Sequence, residues 1–379
     1  MKTMLRHSVI GRLVVGAFFL AGATRNAYAQ AASRIPDRLS DQQFWKLIAD
    51  VSEAGGTFRS DNFLSNERQF QYVIPRLQRT TKPGGIYLGV GPEQNFTYII
   101  GLQPRLAIIF DIRRQNMILH LMYKALFELS PTRADFLSKL FCRSRSLVAD
   151  SVSDVGTMFD LYGDATRDSA LARRTLVAIK QNLSQHGFIF TSDDLESLDY
   201  VFDAYCTVGP DIDYSYPNPR GGFGRGMPSY AELMLATDGA GVSRSYLASE
   251  ANYRSIRSMH AKNLIVPVVG NFSGPKAIRS VGQYLKERGA TVTAFYLSNV
   301  EQYLFQQWDD WRRFYENVAT LPLDSSSTFI RSIGGGRGMA GAQPGFGRLG
   351  SVLSSIQEIV KAYREGQIAD YADVIRMSR

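Results

Sequence analysis

At 379 residues, 45% of them hydrophobic, the chain is long enough to bury the core of one large α/β domain with insertions, or of two smaller domains. Its formal charge of +8 shrinks on inspection: residues 1–29 hold Lys2, Arg6, Arg12 and Arg25 and no acid, so the rest carries +4, and no dense run of Lys and Arg remains to argue for nucleic acid. Two cysteines, Cys142 and Cys206, exclude a disulfide scaffold; an oxidising compartment permits one bond between them, and two separate buried thiols are the expected state.

In chain order, the first segment reads as a secretory signal. A basic start leads into an unbroken apolar and small-residue stretch over 13–23, and Ala27-Tyr28-Ala29 places small residues where a signal peptidase reads them, so cleavage is expected after Ala29. The stretch is short for a membrane span, an uncleaved anchor or a misassigned start being the alternatives. The expected location is therefore periplasmic or secreted, or cytoplasmic if the start is misassigned, with no stable membrane insertion once the signal is gone. A helical segment over 30–80 follows. Ser40-Asp41-Gln42-Gln43 forms a capping box ahead of Phe44, Leu47 and Ile48, and Phe70, Val73, Ile74 and Leu77 predict a second helix over 66–78.

Residues 81–130 read as the first half of a Rossmann-like domain. An apolar strand over 86–90 runs into Gly89-Val90-Gly91, a helix is expected over 93–102, and a second apolar run ends at Asp111, twenty positions after Gly91. A glycine turn lets backbone approach a ligand, and a carboxylate at the next strand end can accept hydrogen bonds from a ribose. The pair points to a nucleotide-type cofactor site. A long helix is predicted over 112–129, then a mostly helical insertion over 131–225 that closes in an aromatic, Gly/Pro-rich loop containing Tyr214 and Tyr216.

The second half, 226–333, carries an apolar strand over 264–269 in which Pro267 predicts an edge-like or bulged spot. A helix opened by Ser273-Gly274-Pro275 and closed by Gly289 follows, then a strand over 291–297, one helix over 300–317 and a last short strand over 328–330. The tail, 334–379, reads as a glycine-rich loop to Gly350 and a terminal helix from about Ser351. The predicted fold is α/β: a Rossmann-like, mostly parallel sheet with helices on both faces, a helical insertion and a C-terminal helix.

These residues resemble a class I S-adenosylmethionine-dependent methyltransferase, within an uncharacterised bacterial family that shares the runs GVGPEQN and FDIRRQN. Tyr87-Leu88-Gly89-Val90-Gly91-Pro92 is similar to the glycine loop beneath the methionine part of the cofactor, and Phe110-Asp111-Ile112 to the segment whose acid holds the ribose. Val269-Gly270-Asn271-Phe272 looks like the segment beside the adenine, and Ser298-Asn299-Val300 falls where substrate and cofactor contacts are placed. The resemblance implies S-adenosylmethionine held by Gly89, Gly91, Asp111 and Asn271, with Glu93 as a relocated carboxylate, because Tyr87 stands where the family has an acid. Acceptor chemistry would lie near Asn299, with Glu301 as general base, and no metal is implied.

Each candidate has a plainer reading: Asp111 as the cap of the next helix, Glu93 as a dipole-stabilised acid, Arg113 and Arg114 as a solvated face, and Tyr205, Tyr214 and Tyr216 as loop anchors. An exported chain would also sit apart from the cytoplasmic supply of adenosylmethionine. Two alternatives to methyl transfer therefore stand. One is an exported, non-catalytic ligand-binding protein on a degenerate Rossmann scaffold. The other is a nicotinamide-dependent oxidoreductase, although the third glycine of its fingerprint falls at Gln94.

Overall fold

The computed structural model describes residues 34–144, 154–217, 226–333 and 350–378. The expected signal over 1–29, most of the glycine-rich segment and parts of the insertion lie outside them. At the centre is one six-stranded sheet of β1 (Ile86–Val90), β2 (Leu106–Asp111), β3 (Ile265–Val269), β4 (Val292–Ser298), β5 (Leu323–Ile333) and β6 (Gly350–Ser355). Their order is β3-β2-β1-β4-β5-β6, parallel throughout except for the antiparallel pairing of β6 on β5. Every residue of β1 and β2 is buried, as apolar runs must be when both faces are covered. Pro267 lies in β3, an edge strand, where a missing N–H costs no ladder bond on the open side.

One helical row comprises α1 (Asp41–Val51), α11 (Ala277–Lys286), α13 (Asp310–Val318) and α14 (Ile356–Arg364), each packed on the next. The other is built on α3 (Gln94–Leu102), α4 (Arg114–Leu129) and α10 (Glu250–Ala261), with the short α2 (Ile74–Thr80) against α3. The insertion supplies α5 (Arg133–Phe141), α6 (Val155–Gly163), α7 (Ser169–Gln185) and α8 (Ser192–Val208), packed outside α4, and α9 (Tyr230–Leu235) follows it against α6. Two short pieces, α12 (Val300–Leu304) and α15 (Tyr371–Arg376), complete the chain. Among the described residues no helix is long and apolar enough to cross a membrane.

Local chemistry sets several boundaries. The Ser40 capping box is present: Ser40 Oγ accepts from the Gln43 N–H at 3.2 Å, and Gln43 returns the bond at 2.9 Å. The helix expected over 66–78 starts later, as a 3₁₀ turn over Phe70–Val73 that leads into α2 with proline in its first turn. The helix expected from residue 112 begins at Arg114, because the Asp111 side chain accepts the Arg113 N–H at 2.9 Å and holds Arg113 extended. Likewise α11 begins at Ala277, two residues past Pro275: the Glu53 carboxylate, reaching across from the segment after α1, accepts the N–H groups of Lys276 and Ala277 at 2.7 and 2.6 Å.

Two expectations are corrected. The helix over 300–317 is broken into α12 and α13, a break closed by Phe305 stacking on Trp311 with ring centroids 4.7 Å apart. The tail contains a strand before its helix: Val352 and Leu353 bury against β5, and Ser355 caps α14 by accepting the Glu358 N–H at 3.2 Å. The cysteines are corrected as well. Cys142 and Cys206 are joined in a disulfide, their Cα atoms 4.9 Å apart, tying the end of α5 to α8.

Candidate functional site

From β1 the chain steps through α3 to β2 on one side; from β3 it crosses back through α11 to β4 on the other. Strand order therefore reverses at β1, and the crevice beyond the carboxyl ends of β1 and β4 is where an open α/β sheet binds ligands. A cleft of about 470 Å³ lies there. It gathers Gly91, Asp111, Asn271 and Asn299, four expected site residues from four segments, together with Ser298 and Tyr296 of β4 and the aromatic rings of Phe58, Tyr214 and Tyr303. A larger groove of about 1100 Å³ between α1 and α11 is lined by charged side chains such as Lys46 and Asp50, which pair on the open surface, and none of the expected site residues lies in it.

Gly89, Glu93 and Glu301 are not among the cleft-lining residues. Gly89 makes room for a side chain: a Cβ there would sit 1.9 Å from Asn95 Oδ1 and 2.8 Å from the Tyr87 ring. Asn95 needs that space because it accepts the Tyr87 hydroxyl at 2.7 Å and donates to the carbonyls of Val90 at 2.9 Å and Pro92 at 2.7 Å. Gly91 differs, since its φ of +74° demands glycine although nothing lies within 4 Å of an added Cβ. His120 Nε2 bonds the Gly91 carbonyl at 2.8 Å; as the oxygen can only accept, that nitrogen carries the proton. Burial pushes the His120 imidazole down to about 4, so it is a neutral brace for the turn.

Both oxygens of Asp111 are engaged by Arg113. Its Oδ1 accepts from the Arg113 backbone N–H at 2.9 Å and from Arg113 Nε at 3.0 Å, and its Oδ2 from Arg113 Nη2 at 2.8 Å. The guanidinium is fixed from its other side by the carbonyls of Ser60, at 3.1 Å, and Asp61. Both side chains are 8% exposed. The neighbouring Arg114 turns away to pair with Asp194 at 2.7 Å. Asn271 Oδ1 accepts from Ser273, and Asn299 stands at the N-cap position of α12 in the cleft wall, its side chain making no cap bond.

Glu301 lies beneath α12 rather than in the cleft. Its carboxylate pairs with the fully buried Arg331 and accepts the Tyr315 hydroxyl at 2.6 Å, which commits both oxygens to the interior. Glu93 is wholly buried with neither oxygen partnered, and burial pushes its carboxyl up to about 8. Tyr205 is also buried, donating to the Phe63 carbonyl at 2.6 Å, and Tyr216 packs on Phe63; of the three tyrosines only Tyr214 lines the cleft.

Glu67, which the sequence does not single out, lies under the cleft floor. It is 1% exposed and accepts the hydroxyls of Tyr296 at 2.7 Å and Ser298 at 2.6 Å on Oε1, and Gln94 Nε2 at 3.1 Å on Oε2. Burial pushes its carboxyl above its ordinary value, against the lowering effect of those hydrogen bonds. No Lys, Arg or His pairs with it among the described residues. Ser298 reaches it from a left-handed conformation, φ +50°, at a shift of register between β4 and β5. Such strain in a non-glycine residue at a strand end marks a place where surroundings over-determine the backbone.

Among the described residues no group of His, Cys, Asp and Glu is arranged to hold a metal ion. No curated protein matches the chain. A family model does, over residues 62–194 and 218–365, which takes in all six strands, Glu67 and the Asp111–Arg113 pair. The chain belongs to the family defined by this domain of unknown function, DUF7790.

Proposed function

We propose that this protein is a small-ligand-binding protein that uses the switch-point cleft of a Rossmann-like sheet. The observation that carries the reading is the convergence of Gly91, Asp111, Asn271 and Asn299 on one aromatic-walled cleft at the strand ends, of a size suited to a small organic molecule. The Cys142–Cys206 bond supports an exported setting, since such bonds persist in oxidising compartments.

S-Adenosylmethionine was the first expectation, and the donor set fits it poorly. A ribose diol is best held by a carboxylate with both oxygens free, but Asp111 already accepts three hydrogen bonds from Arg113, two on Oδ1 and one on Oδ2. An amino-acid ammonium beside the glycine turn needs free acceptors, yet the Gly91 carbonyl already serves His120 at 2.8 Å, Asn116 at 3.3 Å and Asn95 at 3.3 Å. Glu93, the candidate replacement acid, is buried away from the cleft lining. We therefore derive no methyl-transfer step. Methyl transfer to an unknown acceptor is the second reading, favoured by the position of Asp111 at the cleft edge.

Calorimetric titration with S-adenosylhomocysteine, wild type beside Asp111→Ala, separates the two. No heat from the folded protein at millimolar ligand is the expected result; micromolar binding that the variant loses would replace the binding reading with methyl transfer. Native mass spectrometry after incubation with a small-molecule extract of cells tests the binding reading directly. A retained small-molecule adduct that disappears in the cleft-filling variant Asn299→Trp is expected, and an adduct indifferent to that change would move the site elsewhere.

A further inference from the structure

A carboxylate removed from water without a counter-charge costs several kcal/mol, and folds ordinarily cancel that cost with a nearby cation. Of the two buried carboxylates at the cleft, one in its wall is so treated and one beneath its floor is not. Asp111 has Arg113; Glu67 has only neutral donors. Two of those donors, Tyr296 and Ser298, are themselves cleft-lining. Because each gives its one O–H proton to Glu67, each presents only lone pairs to whatever enters. The cleft floor is thus a pair of acceptor oxygens backed by the Glu67 carboxylate, whose ionised form a neighbouring cation would favour against its burial, and the rings of Phe58, Tyr214 and Tyr303 line the same cleft, the last already facing the Arg59 guanidinium at 5.2 Å. Ser298 holds its hydroxyl in this place at the expense of a left-handed backbone.

We propose that the cleft takes a ligand bearing a primary ammonium group, seated against Ser298 and Tyr296 so that its charge faces Glu67 across the two hydroxyl oxygens. The ligand supplies the cation that the fold withholds. No bond is made or broken; the recognition consists of two charge-assisted hydrogen bonds and a charge pair in a partly dry site. This rests on the cleft being the ligand site. Asp111 contributes nothing to it, since its charge is closed by Arg113.

The test uses benzylammonium chloride and benzyl alcohol, probes alike in shape and differing in charge. Their binding to the full chain is followed by ligand-observed NMR and by thermal shift. The wild type is expected to prefer the ammonium probe by about tenfold, the scale of one hydrogen bond to a charged group. Glu67→Gln, which keeps the shape and the acceptor oxygen but not the charge, should bind both probes equally, and Ser298→Ala should lose part of the preference; circular dichroism checks that each is folded. Equal binding of the two probes by the wild type overturns the ammonium subsite and leaves the cleft as a ligand site. A preference that survives in Glu67→Gln also overturns it, and failure of both probes to bind removes the subsite and the cleft reading together.

Discussion

The two sides of the cleft treat a buried carboxylate in opposite ways. On the β2 side, Asp111 is neutralised within two residues by Arg113, whose guanidinium is clamped in turn by loop carbonyls. On the β4 side, Glu67 is satisfied in hydrogen bonds but not in charge. One turn further along β4's continuation, Glu301 again has a cation, Arg331, at zero exposure. The fold thus compensates two of its buried acids with an arginine each, while Glu93 has neither cation nor hydrogen-bond partner. What distinguishes Glu67 from Glu93, which also lacks a cation, is that two of its donors line the cleft. The position most suggestive of a cofactor in the sequence turns out to be the electrostatically closed side.

The largest effect should come from opening the closed side. Arg113→Met leaves Asp111 buried and unpaired, and loss of one partner of a buried pair costs about 3–5 kcal/mol; denaturant unfolding measures it. A loss under about 1 kcal/mol would mean that water reaches Asp111 freely, as for a surface pair, and the contrast between the two sides would collapse. Glu93 supplies a scale for an acid with no device at all. Its folded value, about 8, lies above the ordinary 4.5, so its neutral form contributes stability that is fully present below about pH 4.5 and lost as pH rises through 8. Glu93→Gln should therefore match the wild type near pH 4.5 and exceed it at pH 9 by on the order of 5 kcal/mol. Parallel unfolding curves at both pH values would show that Glu93 finds a donor in solution.

Much of the frame was legible. β1 ends at Val90 and β2 at Asp111 where the apolar runs stop, and Pro267 marks an edge strand, because strand burial and proline's missing donor are local properties. β6 was not, since a six-residue strand with two buried apolar side chains looks like the first turn of the helix it precedes. The break between α12 and α13 carries no glycine or proline, and the stacking of Phe305 on Trp311 that closes it is a tertiary fact. The same limit governs the site. Glu67 meets Ser298 across 231 positions and Cys142 meets Cys206 across 64, and no local pattern encodes either meeting. That Arg113 closes Asp111, by contrast, was within reach: an arginine two residues after a strand-ending acid can fold back onto it.

Glu67→Gln should act in the opposite sense to Arg113→Met. Removing an uncompensated charge while keeping its acceptor oxygen is expected to raise stability without ligand by about 1–2 kcal/mol. Destabilisation of that size would reveal a hidden counter-charge, and the two sides of the cleft would then be alike.

The smallest effect tests whether the glycine turn belongs to the cleft or only to the chain reversal. Gly89→Ala drives a methyl group into Asn95 and Tyr87 and reports only on packing. Gly91→Ala meets no atom within 4 Å, so its cost is the left-handed backbone alone, about 1 kcal/mol. That modest, clash-free change leaves a methyl group facing open space in the cleft lining. If ligand passes close to the turn, binding of benzylammonium should fall by more than the stability does; if binding is untouched, the ligand occupies the β4 side alone, and the two glycines share a purely architectural role.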